Sequence, residues 1–173
     1  MFNLKKSVVV LDLTEIETEL LTSLVHQMLQ LLHDPDEEEH TDPLAKMIGM
    51  NGPTEISDDP VLARLFPDAY RDNPEHSAEF RRFTWNDLQQ RKIQHGHLVL
   101  ENLKRFPGEK KLSEPEVNAW LLTLNDLRLA LGTRIGLDNE TELQLTNESL
   151  PPVFGVYDWL TGLQGTLIDC LAT

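Results

Sequence analysis

The sequence holds a single cysteine, Cys170, among its 173 residues, so no disulfide can form within the chain. It is also poor in positive charge: 15 Lys and Arg stand against 29 Asp and Glu, a formal net charge of −14. That deficit argues against direct nucleic-acid binding, which draws its affinity from basic side chains that neutralise phosphates and release counterions. No apolar run reaches about 18 residues, and no charged-then-apolar N-terminus precedes a small-residue cleavage site, so neither a membrane span nor a signal peptide is expected. The expected location is the cytoplasm. Also missing are a nucleophile elbow, a phosphate loop, a dinucleotide fingerprint and a His-Glu-x-x-His zinc motif. No catalytic residue, metal or cofactor is therefore assigned, and an enzyme is not expected.

What is present is the composition of an ordinary globular chain, 40% hydrophobic and 25% charged,. A chain of this size buries about 70% of its unfolded surface and needs no subdivision, so residues 1–173 are read as one domain. The patterning predicts a mainly α, single-domain helical bundle with a minor two-stranded β element. The run Val8 to Leu11, with Leu13, reads as a buried strand. Thr14 and Glu17 then form a capping box that starts a helix, with Leu20, Leu21, Leu24, Met28, Leu31 and Leu32 on its apolar stripe. Asp34-Pro35 ends it, and the acidic stretch 34–42 reads as a surface linker.

Short helices are expected from Asp42-Pro43 to Ile48, from Val61 to Phe66 behind an Asp59-Pro60 cap, and around Ser77 to Phe83, with a surface crossing from Phe66 to Pro74. Thr84 is read as the cap of a further helix that tolerates Gly96 and ends at Pro107-Gly108. Ser113-Glu114-Pro115-Glu116 is a second capping box, opening a stripe of Val117, Trp120, Leu121, Leu124, Leu127 and Leu131 that Gly136 closes. Alternation between 138 and 149 suggests a strand able to pair with the first, a helix being the alternative. Pro151-Pro152 precedes a terminal docking helix from Val156 to Leu171.

His26, His33 and His40 recur every seven residues, which separates neighbours by about 10 Å along a helix, too far to share one ion. His95 and His97 point about 200° apart. Eight basic residues from Arg81 to Lys111 face only Asp87, Glu101 and Glu109, but Arg91 and Lys104 point about 220° apart, so pairing within the chain outweighs a basic docking stripe. In Asn125 to Arg134, the expected arrangement is a buried Asp-Arg network that fixes helix register, with Gly132 admitting a neighbouring backbone. Arg128 and Arg134 as anion or partner contacts are the sharper alternative. Cys170 reads chiefly as a small buried hydrophobe, with an intermolecular thiol role as the minor reading.

The strings Phe66-Pro67-Asp68-Ala69-Tyr70-Arg71-Asp72-Asn73-Pro74, Glu79-Phe80-Arg81-Arg82-Phe83-Thr84, Leu122 to Arg134, and Tyr157-Asp158-Trp159-Leu160 resemble the actinobacterial domain-of-unknown-function family that includes AosR-type oxidative-stress transcription regulators. The resemblance runs nearly the full length. It implies a small cytoplasmic regulator acting through protein contacts, with a sigma factor or RNA polymerase as partner rather than promoter DNA or a membrane. The family's redox role is associated with a cysteine pair, and here only Cys170 is present. The expected partner-binding residues are Arg81, Arg82 and Arg128, the turn carrying Asp68, Tyr70 and Arg71, and Arg134. The alternatives are a small-molecule or metal-binding helical domain, recognisable by a pocket with converging His or Arg, and a structural homodimer paired through Trp159 and Leu163.

Overall fold

The computed structural model describes residues 1–5, 8–33, 52–53, 55–70, 72–137 and 152–172. The helix expected at 43–48, the strand expected at 138–149, the acidic linker 34–42 and Arg71 lie outside these residues.

Strand β1 (Phe2–Lys5) pairs antiparallel with β2 (Val8–Leu13), Phe2 opposite Leu11 and Lys5 opposite Val8. On its other side β2 pairs antiparallel with β3 (Gly108–Lys111), Val10 opposite Lys111 and Leu13 opposite Gly108. Of the two strands expected, the one at 8–13 is the centre of this three-stranded sheet, order β1-β2-β3, and its partners are Phe2–Lys5 and Gly108–Lys111. At 108 the sequence signals a helix stop and no strand. Pro107 does end the preceding helix, and Gly108, at φ +93°, turns the chain into an edge strand, a backbone that side chains other than glycine rarely adopt. The edge carries Lys110 and Lys111, charges that discourage pairing with another chain.

Helix α1 (Glu15–Leu32) starts at the anticipated box: the Glu17 N–H donates to Thr14 Oγ1 at 3.3 Å and the Thr14 N–H donates to Glu17 Oε2 at 2.8 Å. That backbone donor is the main reason the Glu17 carboxyl titrates below its ordinary range. Helix α2 (Pro60–Leu65) starts where Asp59 Oδ1 accepts from the Val61 and Leu62 N–H groups.

Helix α3 (Pro74–Leu103) corrects the expectation of two helices divided at Thr84. Asn73 caps it, accepting from the His76 N–H at 3.0 Å. Thr84 Oγ1 donates back to Phe80 O at 2.8 Å, so the hydroxyl satisfies an interior carbonyl instead of capping a new start.

Helix α4 (Glu114–Arg134) begins at the second box, the Ser113 N–H donating to Glu116 Oε2 at 2.7 Å. It ends with Gly136 at φ +73°, as its pattern anticipates. Helix α5 (Pro152–Leu171) starts at Pro152 itself, four residues before the expected Val156. Proline is well tolerated in a first helical turn, where its missing N–H has no helical partner to lose.

Helix α4 is the central element, packed against α1, α2, α3 and α5. Its Trp120, wholly buried, meets Phe2 edge-on at 5.8 Å between ring centroids. The Phe2 N–H also donates to Thr166 Oγ1 of α5 at 3.2 Å, joining sheet and terminal helix. Leu163, expected on a dimer face, is buried, and Trp159 packs against the same core; the exposed apolar residues of α5 are Ile168 and Leu171.

Gly96 brings α3 against α1. A Cβ there would lie 2.9 Å from Leu29 Cδ2 and 3.4 Å from Met28 Cε. Gly96→Val is expected to lower stability by about 2 kcal/mol through overpacking, measured by urea unfolding; an unchanged midpoint would show that the α1–α3 contact yields without cost.

Candidate functional site

The loop between α2 and α3 is fastened rather than free. Phe66 stacks on Trp85 with ring centroids 3.9 Å apart. Ser77 Oγ takes the Tyr70 N–H at 3.0 Å and donates to Tyr70 O at 2.8 Å. Asp68 forms an ion pair with Arg81, which is buried at 8% exposure. The Gly52 N–H donates to Arg82 O at 3.1 Å, and a Cβ at Gly52 would sit 2.6 Å from Arg81 O, so chain and helix touch backbone to backbone. Asp68 and Arg81 therefore hold the loop down. Tyr70 remains 49% exposed, and Arg82 is half-buried.

The cluster on α4 divides between two neighbours, which corrects the expected Asp-Arg network within the segment. Asp126 accepts from Lys92 Nζ of α3 at 2.7 Å, and that ammonium also lies 5.7 Å from the Phe66 ring centroid. Burial raises the Asp126 pKa, more than the attraction of Lys92 lowers it. Arg128 faces α5, its Nε donating to Thr161 Oγ1 at 2.9 Å and its Nη1 to Gln164 Oε1 at 2.6 Å, with its guanidinium 5.5 Å from the Tyr157 ring centroid. A helix turns about 100° per residue, so positions two apart face opposite sides and cannot share a partner. A Cβ at Gly132 would lie 3.4 Å from Tyr157 Cε2, an ordinary side-chain contact rather than a close backbone approach. Arg134 is exposed in the last turn of α4.

Four of the eight basic residues between 81 and 111 form ion pairs within the chain. Besides Arg81 and Lys92, Lys104 pairs with Glu101, Arg105 with Glu116, and Lys5 of β1 with Glu109 of β3.

A cavity of about 530 Å³ opens between α1 and α3, lined by Leu29, Leu100 and Leu103 together with His26, His33 and His97 among others. Spacing along α1 separates His26 from His33, but the packing sets His33 across from His97, ring centroids 6.3 Å apart. Only tertiary contact reveals that pair. His26 Nδ1 lies 2.8 Å from Thr22 O and His33 Nδ1 2.8 Å from Leu29 O. A carbonyl only accepts, so in each contact the ring Nδ1 is the donor. Among the described residues no three or more His, Cys, Asp or Glu side chains group as a metal site. Cys170 is half-buried near the end of α5, and burial, then Asp169, push its thiol above the usual range.

The family profile described as domain of unknown function DUF2017 matches residues 1–171. The chain belongs to the DUF2017 family. Relatives from Mycobacterium tuberculosis and Mycobacterium bovis, each named oxidative stress regulator AosR, are 32% identical over 167 residues, covering 88% of this chain and 77% of theirs. A relative from Mycobacterium leprae is 30% identical over 170 residues, covering 90% of this chain and 78% of its own. No solved structure matches this DUF2017 chain significantly. Among its described residues, no helix is long and apolar enough to cross a membrane.

Lys92→Met strands the Asp126 carboxyl in the interior and is expected to lower stability by about 3 kcal/mol, while Lys92→Met with Asp126→Leu recovers most of the loss. Denaturant unfolding of the two variants tests this, equal losses removing the pair's role. The raised Asp126 pKa also sets a sign: the folded chain holds this proton more tightly than the unfolded chain. The group's contribution therefore falls as pH rises from the ordinary carboxylate range through the raised value. Asp126→Asn should gain on the wild type over that window, and a constant difference would contradict the shift.

Proposed function

We propose that this protein is a non-enzymatic, cytoplasmic regulator of the oxidative-stress response that acts through protein contacts, with a sigma factor or RNA polymerase as partner. The observation that carries the reading is the similarity, over most of both chains, to relatives named oxidative stress regulators. The net charge of −14 favours a basic protein partner over DNA,. Within the contact set expected from the sequence, Tyr70, Arg82 and Arg134 make the contacts, with Arg71 next to Tyr70 in sequence. Asp68, Arg81 and Arg128 hold the frame that presents them. Cys170, with its thiol pushed up, is a packing residue in this reading.

The test is transcript profiling of a deletion strain with and without peroxide, complemented by wild type, by Tyr70→Ala with Arg82→Ala, and by Cys170→Ala. The deletion is expected to change the peroxide response, with wild type and Cys170→Ala restoring it and the double variant failing to. A peroxide response unchanged by deletion would overturn the regulatory reading. Failure of Cys170→Ala alone would replace the packing role with an intermolecular thiol switch.

A further inference from the structure

The first turns of α3 carry their polarity the wrong way round for a surface helix. Ser77 and Arg81 are buried, at 2% and 8% exposure, while Phe80 and Phe83 stand 46% and 48% exposed. The usual arrangement turns the apolar stripe inward and the polar stripe outward. Such a departure from local consistency marks a functional or strained site. No strain is needed to explain this one: the inward positions are satisfied by the Arg81–Asp68 pair and the Ser77–Tyr70 hydrogen bonds. The two phenylalanines are left without a role in the core.

They do not stand alone. Tyr70 meets Phe80 edge-on at 6.1 Å and His76 edge-on at 6.1 Å, so the loop extends the aromatic surface. A cleft of about 60 Å³ adjoins it, walled by Phe80, Arg81, Trp85 and the loop from Phe66 to Ala69. The buried Trp85 Nε1 has no hydrogen-bond partner among the described residues.

The charge around this surface is mostly negative. Positions four apart are neighbours on a helix, so Glu79 and Asp87 flank Phe83 and Glu75 lies one turn further back. Asp72 precedes the helix, and all four acidic residues are exposed. Among the described residues of this face, the opposing cations are the half-buried Arg82 and the exposed Arg91, whose Nε donates to Asp87 O.

We infer that the outward face of α3 from Glu75 to Asp87, with Tyr70, is a docking surface for a basic, amphipathic protein segment whose apolar side chains cover Phe80 and Phe83 and whose Lys or Arg side chains meet Glu75, Glu79 and Asp87. This names the chemistry of the partner and rests on the regulatory reading above. Charge complementarity selects the occupant. A second copy would bring its own net charge of −14 and the same carboxylates to the contact. A basic segment instead gains salt-screened attraction to the carboxylates and cation–π contact with exposed rings.

The experiment titrates the full chain with a short helical Lys/Leu peptide, using Glu/Leu and Lys/Ser peptides as controls. Binding is read by fluorescence anisotropy and mapped by backbone amide shifts. The Lys/Leu peptide is expected to bind, to move amides of residues 70 and 75–87, and to weaken with added salt. Phe80→Ser with Phe83→Ser should weaken it about tenfold or more, and Glu75→Gln with Glu79→Gln severalfold. Ile168→Ser, on α5, should leave it unchanged. Since both rings are exposed, the serine variant should keep the wild-type melting curve; Phe80→Leu with Phe83→Leu, which keeps apolar area, should retain more binding than the serine pair. Equal binding of the Lys/Ser peptide, shifts spread over the whole acidic surface, or binding unaffected by the serine pair would overturn the inference. So would a dimer in sedimentation that the serine pair dissolves, which would assign the face to self-association. Any of these results leaves the regulatory reading to its own deletion test, and an unchanged peroxide response leaves the peptide map standing.

Discussion

The burial of Trp120 against three different elements is the constraint around which the chain is arranged. A side chain that large can be excluded from water completely only if helix, sheet and cap meet at one point. Phe2 closes it from the sheet, and Asn102 of α3 takes the indole N–H at 3.3 Å. The Asn102 amide in turn donates to Glu116 Oε1 at 2.9 Å, the carboxylate whose other oxygen accepts the Ser113 N–H that opens α4. Arg105 donates to Glu116 Oε1 as well, at 2.8 Å. One carboxylate thus starts a helix, holds the amide that takes the indole N–H and anchors the end of α3. Burial works against its ionisation, but the Ser113 donors together with Arg105 and Asn102 outweigh that and hold the Glu116 carboxyl below its ordinary range.

A second consequence follows from the acidic excess. A chain with so few cations uses many of them internally: Arg81 fastens the α2–α3 loop, Lys92 bridges to α4, and Arg128 joins α4 to α5. Within the basic stretch that invites a reading as an anion-binding patch, Arg81 and Lys92 are therefore framework. The outward face of the first turns of α3 carries Phe80 and Phe83 beside the exposed carboxylates of Glu75, Glu79 and Asp87.

Local signals carried over into structure where the physics is local. Both capping boxes, the Asp59 cap and the Gly136 stop depend on residues within a few positions of one another, and each stands where the sequence places it. Strand β1 has a legible alternation, Phe2 and Leu4 against Asn3 and Lys5, but four residues carry too little of it to be distinguished from a tail. Strand β3 has no apolar pattern at all. It becomes a strand because the edge of β2 offers unpaired backbone groups, and residues about a hundred positions away decide that. Thr84 misleads for a related reason: the same hydroxyl serves as a cap or as a back-bonded interior residue, and the continuous packing of α3 on α1 and α4 selects the second.

By itself the sequence determined the mainly helical class, the ends of the strongest helices, the net acidic charge and the family. These rest on short-range hydrogen bonding, periodicity and summed charge, none of which needs a contact map. Tertiary structure alone decided that His33 faces His97, that Asp126 pairs with Lys92 rather than with Arg128, and that Arg81 is buried while Phe80 and Phe83 are exposed. A side chain's partner is set by which helices pack together and at what rotation, and that depends on the whole core closing at once.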